Sequence, residues 1–229
     1  MKRWALVVAG LYLLILVVLT LPVAVLSFPK MIHDSKLTEM LGVYAWAPYW
    51  LWAGVMALGQ MALLAVPVKI TSRRPVTRRS LLTPILAAGL MLGGLALGAV
   101  YSLGEFALYP KHQDWGGPLM WGGIGFGLLT WVVWTVLFYR LSRTSDPSEL
   151  ISRQCRSLLK GSILELLVAV PTHLVARSRD YCCAGFMTFI GITLGLSVML
   201  FSFGPGVFFL FVDRWKRLHP KAGGAGMEG

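Results

Sequence analysis

Long uncharged stretches alternate with short charged segments along this chain. Five stretches of 25 to 32 residues contain no Asp, Glu, Lys or Arg: 4–28, 41–68, 80–104, 115–139 and 181–212. A helix needs roughly 20 apolar residues to cross the hydrocarbon core of a bilayer, which is about 30 Å thick. A soluble protein of this size cannot bury five such stretches. The pattern therefore predicts an all-α fold, a polytopic transmembrane helical bundle.

A sixth segment, 158–176, is shorter and more polar than the other five. It has 19 residues and includes Lys160 and Glu165. A lysine near a helix end can extend its ammonium group to the membrane surface, whereas a glutamate deeper in the segment cannot easily reach water. We expect this segment to cross the bilayer. The alternative is that it dips into the cytoplasmic face, and that the last stretch then crosses once or folds back.

Six crossings give a bundle that forms one transmembrane domain over residues 1–221. The predicted spans are 4–28, 44–68, 80–104, 115–139, 158–176 and 183–212. The Gly-rich residues 222–229 are predicted to form a disordered tail. Charged residues make up 14% of the chain. Soluble domains contain about 25%, so the composition supports a membrane protein without a separate globular domain.

Lysine and arginine collect in alternate connections between the predicted spans. The segments 69–79 and 140–160 carry five basic residues each and the tail after Val212 carries four, whereas 29–40 and 105–114 together carry three. Cytoplasmic loops are enriched in these residues, so both termini and both basic segments are predicted to be cytoplasmic, in a cell inner membrane. This arrangement accounts for the net charge of +11 without a nucleic-acid partner, because no folded module exists to present the charge.

Glycines recur four residues apart in two of the predicted spans. They are Gly89, Gly93, Gly94 and Gly98 in the third span and Gly191 and Gly195 in the sixth. Small residues at this spacing let helix backbones approach closely in a bilayer. The glycine faces fit packing inside the bundle and also docking onto the helices of another subunit. The spacing alone does not distinguish these two interpretations.

Aromatic residues cluster at the predicted outer start of the second span. They are Tyr44, Trp46, Tyr49, Trp50 and Trp52. Tyrosine and tryptophan anchor helices at membrane surfaces, so an interfacial belt is expected here. A groove for a quinone or a lipid is the alternative interpretation.

Ionisable residues in or next to predicted spans concentrate in the second half of the chain: Glu165, His173, Arg177, Arg179 and Asp180. Such groups are costly inside a membrane and usually pair with one another or line a path. On an ideal helix, the eight residues from Glu165 to His173 correspond to about 80° of rotation and about 12 Å of rise, so the two side chains do not touch. We expect their partners on other helices, and a kink at Pro171 between them.

Three interpretations of Glu165 and His173 stay open. The first is structural: Glu165 pairs with Lys160 or Arg156 near the cytoplasmic face, and His173 binds a neighbouring carbonyl. The second is a proton or ion path, in which a buried carboxyl group and an imidazole are the usual relay groups. The third is a ligand site, including a site for haem or quinone.

A haem site would need a second axial ligand besides His173. The other histidines of the chain are His33, His112 and His219, all in predicted loops or in the tail. Covalent haem is excluded by this sequence because it contains no Cys-x-x-Cys-His motif. No cofactor can be assigned from the sequence.

Two adjacent cysteines, Cys182 and Cys183, lie at the predicted outer face. Disulfides can persist on that side of a membrane, and a bond between neighbouring residues is strained and therefore labile. A thiol-redox or soft-metal role is one interpretation of the pair. The other is that two small residues pack at the start of a helix. No other metal-ligand pattern is present.

The segment Gly204-Pro205-Gly206 interrupts the last apolar stretch and predicts a helix break. A broken helix is tolerated in a membrane where the freed backbone groups face protein or water, as at transporter sites. The two halves of the chain show no inverted repeat, which weighs against a transporter fold.

No catalytic motif rises above background in this chain, so an enzyme is not the favoured interpretation. We expect an integral inner-membrane protein whose partners are the lipid bilayer and other membrane subunits. The favoured function is a non-enzymatic subunit or scaffold that packs through its glycine-rich helix faces. The first alternative is a small transporter or a proton or ion path that uses Glu165 and His173. The second is an outer-face thiol-redox or metal-handling protein that uses Cys182 and Cys183.

Overall fold

Six long helices make up nearly all of the part of the chain that the structure describes. This structure, a computed structural model, describes residues 2–27, 44–45, 47–71, 76–108, 118–179 and 184–218. Over these residues the helices are α1 (Lys2–Ser27), α2 (Ala47–Thr71), α3 (Arg78–Leu108), α4 (Pro118–Leu141), α5 (Pro147–Arg177) and α6 (Phe186–Leu218). Each is long and apolar enough to cross a membrane, and the described residues contain no strand. The predicted fold, an all-α transmembrane bundle of six spans, is confirmed.

Helix α5 begins eleven residues before the predicted start of the fifth span. The apolar segment starts later than the helix because the charged residues before Leu158 interrupt the apolar segment and leave the helix intact. Asp146 precedes a proline at the first helical position, which favours a helix start there. In the first turns Arg153 Nη2 lies 2.7 Å from Glu149 Oε1, an i,i+4 ion pair that supports an exposed helix.

Helix α3 lies at the centre of the bundle and packs against α2, α4, α5 and α6. Helix α1 packs against α2 and α6, where the Tyr12 hydroxyl donates a hydrogen bond to the Ser197 carbonyl at 3.0 Å. Helix α4 lies at the edge and packs mainly along α3. The part of the bundle available for a buried site is therefore the space between α3, α5 and α6.

Glycines on both helices set the close approach of α3 and α4. A Cβ atom at Gly93 would lie 2.7 Å from the carbonyl oxygen of Gly127, and one at Gly89 would lie 2.5 Å from Thr135 Oγ1. On the α4 side, a Cβ atom at Gly123 would lie 2.5 Å from the ring of Tyr101. Backbone therefore packs against backbone along this interface, as small residues permit in lipid.

Helix α6 runs without interruption through Gly204, Pro205 and Gly206, so the predicted helix break is wrong. A proline removes one backbone hydrogen bond, and the turns on either side keep theirs. The glycine before it has a different role: a Cβ atom at Gly204 would overlap the amide of Gln60 on α2. Gly204 therefore permits close contact between α2 and α6. Helix α5 is likewise continuous through Pro171.

The two ends of the bundle differ in composition. At one end, called here the Glu105 end, α3 and α5 finish and α6 begins. At the opposite end, called here the basic end, α2 and α4 finish and α3 and α5 begin. Exposed arginines of the basic end include Arg79, Arg140, Arg143 and Arg156. The basic end is the one that the charge distribution predicts to be cytoplasmic.

Candidate functional site: a polar seam between α3, α5 and α6

Helix α5 turns its polar side chains toward the protein interior. Half of its ten buried residues are polar: Gln154, Ser162, Glu165, Thr172 and His173. The opposite face is apolar and exposed, with Ile163, Leu164, Leu167 and Leu174. Ser162 and Thr172 donate to carbonyl oxygens of α5 itself, whereas ionisable groups such as Glu165 and His173 are costly inside a membrane span. The buried face of α5 is therefore a candidate functional surface.

Matching faces of α3 and α6 complete this region. On α3, Gly98, Ser102 and Glu105 are buried and spaced four and three residues apart, so they share one face. On α6, Thr188, Gly191 and Gly195 have the mirror spacing of three and four. The term polar seam is used below for five side chains at this three-helix contact: Ser102, Glu105, Glu165, His173 and Thr188.

Glu105 closes the seam at its outermost position by capping α6. Its Oε1 accepts a hydrogen bond from the Gly185 N–H at 2.7 Å, and its Oε2 accepts one from the Thr188 N–H at 2.8 Å. The first N–H groups of a helix have no partner within the helix, and a carboxylate there also interacts favourably with the helix dipole. Gly185 has φ +87°, a left-handed conformation that glycine adopts without strain.

Arg179 supplies the reciprocal cap at the end of α3. Its Nη1 donates to the Glu105 carbonyl oxygen at 2.9 Å, and its Nη2 donates to the Phe106 carbonyl oxygen at 2.8 Å. The last carbonyl groups of a helix lack helical partners, and a guanidinium group suits the negative end of the helix dipole. The Arg179 predicted as a site residue is thus a cap that ties the end of α5 to the end of α3.

His173 lies next to this cap, with 6% of its surface exposed, and binds α6 through Thr188. The Thr188 hydroxyl donates its single proton to the Gly185 carbonyl oxygen at 3.0 Å. The 2.7 Å contact between His173 Nδ1 and Thr188 Oγ1 then assigns the proton of the neutral ring to Nδ1. This assignment makes Nε2 the acceptor nitrogen, and Nε2 has no hydrogen-bond partner among the described residues. His173 also has a backbone hydrogen bond to Gly185, in line with the interpretation that it binds a neighbouring carbonyl, and the contact with the Thr188 hydroxyl is additional.

Glu165 lies deeper in the seam, and only 3% of its surface is exposed. Neither carboxyl oxygen has a hydrogen-bond partner in the described part of the chain. Lys160 and Arg156 are both exposed on other faces of α5, so the expected ion pair with either of them is wrong. The physical reason is the helical rotation, which directs Glu165 to the interior and these two cations to the surface.

Three glycines surround the Glu165 carboxyl group. A Cβ atom at Gly98 would lie 3.2 Å from Oε1, and one at Gly191 would lie 2.9 Å from the same oxygen. A Cβ atom at Gly195 would overlap Oε2. Larger residues at these positions would therefore occupy the place of the carboxyl group. The glycines predicted to pack helices also make room for this side chain.

Ser102 is the nearest polar group to Glu165 that the contacts reveal. The point at which a Gly191 Cβ atom would lie is 2.5 Å from Ser102 Oγ and 2.9 Å from Glu165 Oε1. The two oxygens therefore lie close together beside Gly191. The Ser102 hydroxyl has no partner in the described chain either. Ser102, Glu165 and His173 thus bring three incompletely bonded groups to one contact of three helices.

The remaining predicted site residues fall into three groups. Gly89 and Gly93 pack against α4, and a Cβ atom at Gly94 would lie 3.9 Å from Trp52 on α2. Arg177 is exposed at the end of α5, one helical turn after His173. Three predicted site residues lie outside the described residues, which leaves the thiol interpretation untested: Asp180, Cys182 and Cys183.

Other buried polar groups without a partner lie away from the seam. Gln60 on α2 and Gln154 on α5 are fully buried, and both their amide atoms lack hydrogen bonds within the described residues. Gln60 lies against Gly204, so it belongs to the contact between α2 and α6. No group of three or more His, Cys, Asp or Glu suited to a metal ion occurs in the described ranges. The candidate haem ligands His33, His112 and His219 lie outside these ranges.

The sequence analysis missed three members of the seam: Ser102, Glu105 and Thr188. Glu105 was assigned to a connection because its charge ends an uncharged stretch, yet it lies in the last turns of α3. A signal for Ser102 and Glu105 was available in their spacing from Gly98, which places all three on one helix face. Nothing in the sequence distinguishes Thr188 from the other hydroxyl residues of the last span.

The six apolar helices make this chain an integral, multi-pass membrane protein. No protein-family model matches it, and neither does a curated protein or a solved structure. The polar seam, built from α3, α5 and α6, is the candidate functional site.

Proposed function

We propose that this protein is a small transporter, or a proton or ion path, in which Glu165 binds the transported species. The observation that carries the proposal is a carboxyl group buried among three helices without a hydrogen-bond partner in the described chain. An ionised carboxylate without a partner is very costly in a medium of low dielectric constant. The group therefore requires a proton or a cation as its partner, and the exchange of that partner is a binding event.

The depth of Glu165 supports this proposal. Glu165 lies twelve residues before the end of α5 at Arg177. At about 1.5 Å of rise per residue, this is about 18 Å from the Glu105 end. The neighbouring Gly98 and Gly195 lie ten and nine residues from the ends of α3 and α6 at the same side. In a hydrocarbon core about 30 Å thick, these positions are close to the middle of the membrane.

The test is a flux measurement on purified protein in sealed lipid vesicles. Proton movement is followed with a trapped pH-sensitive dye under a potassium diffusion potential, and sodium and potassium are measured in parallel. We expect Glu165→Gln to reduce flux by at least about tenfold, because an amide neither binds nor releases a proton at neutral pH. Glu149→Gln is the matched control, since Glu149 is an exposed carboxylate of the same helix that pairs with Arg153.

A second readout is independent of flux. A hydrophobic carbodiimide reacts with protonated carboxyl groups in apolar surroundings, and its adduct is detected by peptide mass spectrometry. We expect modification at Glu165 in the wild-type protein and none at Glu149. Unchanged flux in Glu165→Gln, together with an unmodified Glu165, would overturn the proposal.

The second candidate function is a subunit or scaffold of a larger membrane complex. One observation favours it: α4 leaves most of its surface exposed, and Cβ atoms at Gly122 and Gly125 would have no atom of the described chain within 4 Å. Gly89, Gly93, Gly98, Gly191 and Gly195 contact neighbouring helices of the same chain, so a partner would use α4 instead. A stoichiometric partner in the preparation used for flux measurements, with flux insensitive to Glu165→Gln, would favour this candidate.

A further inference from the structure

We infer that the species bound by Glu165 is a proton and that it reaches Glu165 from the Glu105 end, by way of His173 and Ser102. This inference rests on the proposed function and adds the substrate, the direction of access and the order of the groups. It comes from how the incompletely bonded polar atoms are distributed along the seam.

Within the seam, the partnerless atoms other than those of Glu165 lie toward the Glu105 end, whereas the next partnerless group of α5 toward the basic end is Gln154, one helical turn beyond Leu158. Ser102 is one helical turn beyond Gly98 in the direction of the Glu105 end, and His173 is about two turns beyond Glu165 in the same direction. His173 Nε2 has a free lone pair, the Ser102 hydroxyl can accept and donate, and the Glu165 carboxyl group can accept. Each of the three groups can therefore take up a proton and pass it on.

The opposite side of Glu165 is closed by bonded and apolar groups. Ser162, on the same buried face of α5, donates its hydroxyl proton to the Leu158 carbonyl oxygen at 2.7 Å. The next buried residue toward the basic end is Leu158, which belongs to an apolar cluster with Leu92, Leu95 and Val198. A layer of hydrocarbon side chains therefore separates Glu165 from Gln154 and the basic end, so the relay reaches Glu165 from the Glu105 end, and release of the proton toward the basic end requires this layer to open.

The surroundings of Glu165 favour a proton over a metal cation. The contacts around the carboxyl group supply two further oxygens, the Ser102 hydroxyl and the Gly98 carbonyl, and otherwise glycine backbone and the side chains of Leu166 and Leu194. Calcium takes about six to eight oxygen ligands, and magnesium about six. A proton needs a single lone pair, which the carboxylate provides. No rearrangement of helices is needed for protonation.

The proton balance of the relay is simple. Water at the Glu105 end protonates His173 Nε2, while the Nδ1 proton stays in its bond to Thr188 Oγ1. Nε2 then releases the proton through water to the Ser102 oxygen, and Ser102 gives its own hydroxyl proton to Glu165. One proton moves inward, the imidazole and the hydroxyl return to their starting states, and the carboxylate becomes a carboxylic acid.

Charged groups from each neighbouring element act on the protonated imidazole. The Glu105 carboxylate on α3 and the Arg177 guanidinium on α5 both interact electrostatically with it. Arg179 follows α5 and binds the carbonyl groups at the end of α3, so its charge is also nearby. From α6 the ring meets the Thr188 hydroxyl and Gly185. The carboxylate and the two guanidinium groups set how readily His173 holds the incoming proton.

A matched pair of serine substitutions tests the direction of access. Ser102 and Ser162 are both fully buried, and they lie on opposite sides of Glu165 along the bundle. We expect Ser102→Ala to lower proton flux by about tenfold or more, because it removes a relay group. We expect Ser162→Ala to leave flux unchanged. Equal effects of the two substitutions, or a larger effect of Ser162→Ala, would overturn the inferred route.

A chemical-rescue experiment tests the role of His173. His173→Ala should lower proton flux by about tenfold or more, and added imidazole should restore it, because a small base can replace a relay group and cannot restore lost packing. Thr193→Val is the control, since it removes a hydroxyl group of α6 that donates to the Phe189 carbonyl oxygen of the same helix, and flux should be unchanged with or without imidazole. Absence of rescue in a folded His173→Ala protein, or flux of sodium or potassium in place of protons, would overturn the inference.

The outcomes also separate this inference from the proposed function. Loss of flux in Glu165→Gln with equal effects of the two serine substitutions would leave Glu165 as the binding group and remove the inferred route. Normal flux in Glu165→Gln would remove both.

Discussion

Two buried carboxyl groups in the same three-helix contact differ completely in their bonding. Glu105 and Glu165 are 2% and 3% exposed. The Glu105 carboxylate accepts two backbone N–H groups of α6, whereas the Glu165 carboxyl group has no partner among the described residues. Burial of a carboxyl group is therefore not in itself a sign of function. The informative feature is a buried carboxyl group whose oxygens have no hydrogen-bond partner among the described residues and can therefore bind another species.

The difference follows from where each group meets α6. Glu105 faces the start of α6, where backbone N–H groups have no helical partners and can bind a carboxylate. Glu165 faces the middle of α6, where the N–H groups of Gly191 and Gly195 belong to the helix. Only side chains can pair with a carboxyl group there, and glycines have none. At Glu105 the seam therefore stabilises the fold, whereas at Glu165 it can bind and release a proton or a cation.

The largest difference in stability is expected between two single variants, Glu105→Gln and Glu165→Gln. Glu105→Gln removes a charge-assisted hydrogen bond and turns an amide donor toward a backbone N–H, so we expect a loss of about 3 kcal/mol in the free energy of unfolding. Glu165→Gln removes no bond to the protein, and we expect a change of less than about 1 kcal/mol. Denaturant titration in mixed detergent micelles measures both values.

Equal destabilisation by Glu105→Gln and Glu165→Gln would contradict this expectation. Such a result would mean that Glu165 has a strong structural partner in the folded membrane protein. Flux of the same two variants in sealed lipid vesicles gives the reverse ranking, because Glu165→Gln should abolish flux and a folded Glu105→Gln protein should retain part of it.

Much of this fold can be predicted from the sequence because a bilayer imposes a strict length on apolar helices. Five uncharged stretches and the segment around Glu165 correspond to the six helices. Helix boundaries are harder to predict, since the exposed turns of α5 before Leu158 are helical and charged. The predicted helix break at Pro205 was wrong because a proline removes one backbone hydrogen bond and the neighbouring turns keep theirs. The sequence also does not show that Gly204 packs against a residue of α2.

The candidate site was predicted in part. Glu165 and His173 stand out in the sequence because ionisable residues are rare in apolar spans. Their neighbours do not, because contacts of α3 with α5 and α6 join positions about 70 to 90 residues apart, as with Glu105 and Thr188. The interpretation that Glu165 pairs with Lys160 near the cytoplasmic face is wrong for a different reason: the two residues are close in sequence, and the helix directs their side chains to different faces.

An intermediate loss of stability is expected from adding a methyl group next to the Glu165 carboxyl group. A Cβ atom at Gly195 would overlap Glu165 Oε2 and lie 2.8 Å from Leu166 Cγ, so Gly195→Ala should destabilise by about 2 kcal/mol and also lower flux. Gly206→Ala on the same helix is the control, because its Cβ would meet nothing within 4 Å and alanine favours helix. If Gly195→Ala retains full flux, the position of the carboxyl group between the glycines does not matter for transport.

The smallest effect is expected at the contact between α3 and α4, which lies outside the seam. Gly93→Ala places a Cβ atom 2.7 Å from the Gly127 carbonyl oxygen, and the better helix propensity of alanine offsets part of the strain. We expect a net loss of about 1 kcal/mol. The adjacent Gly94→Ala is the control, since its Cβ would lie 3.9 Å from Trp52, an ordinary contact. Flux per folded molecule should be unchanged in both variants, because neither glycine contacts a seam side chain. A loss of flux in Gly93→Ala at unchanged stability would extend the functional region to α4. It would also contradict the distinction between the Gly93 contact, which only packs helices, and the Gly195 contact, which positions the Glu165 carboxyl group.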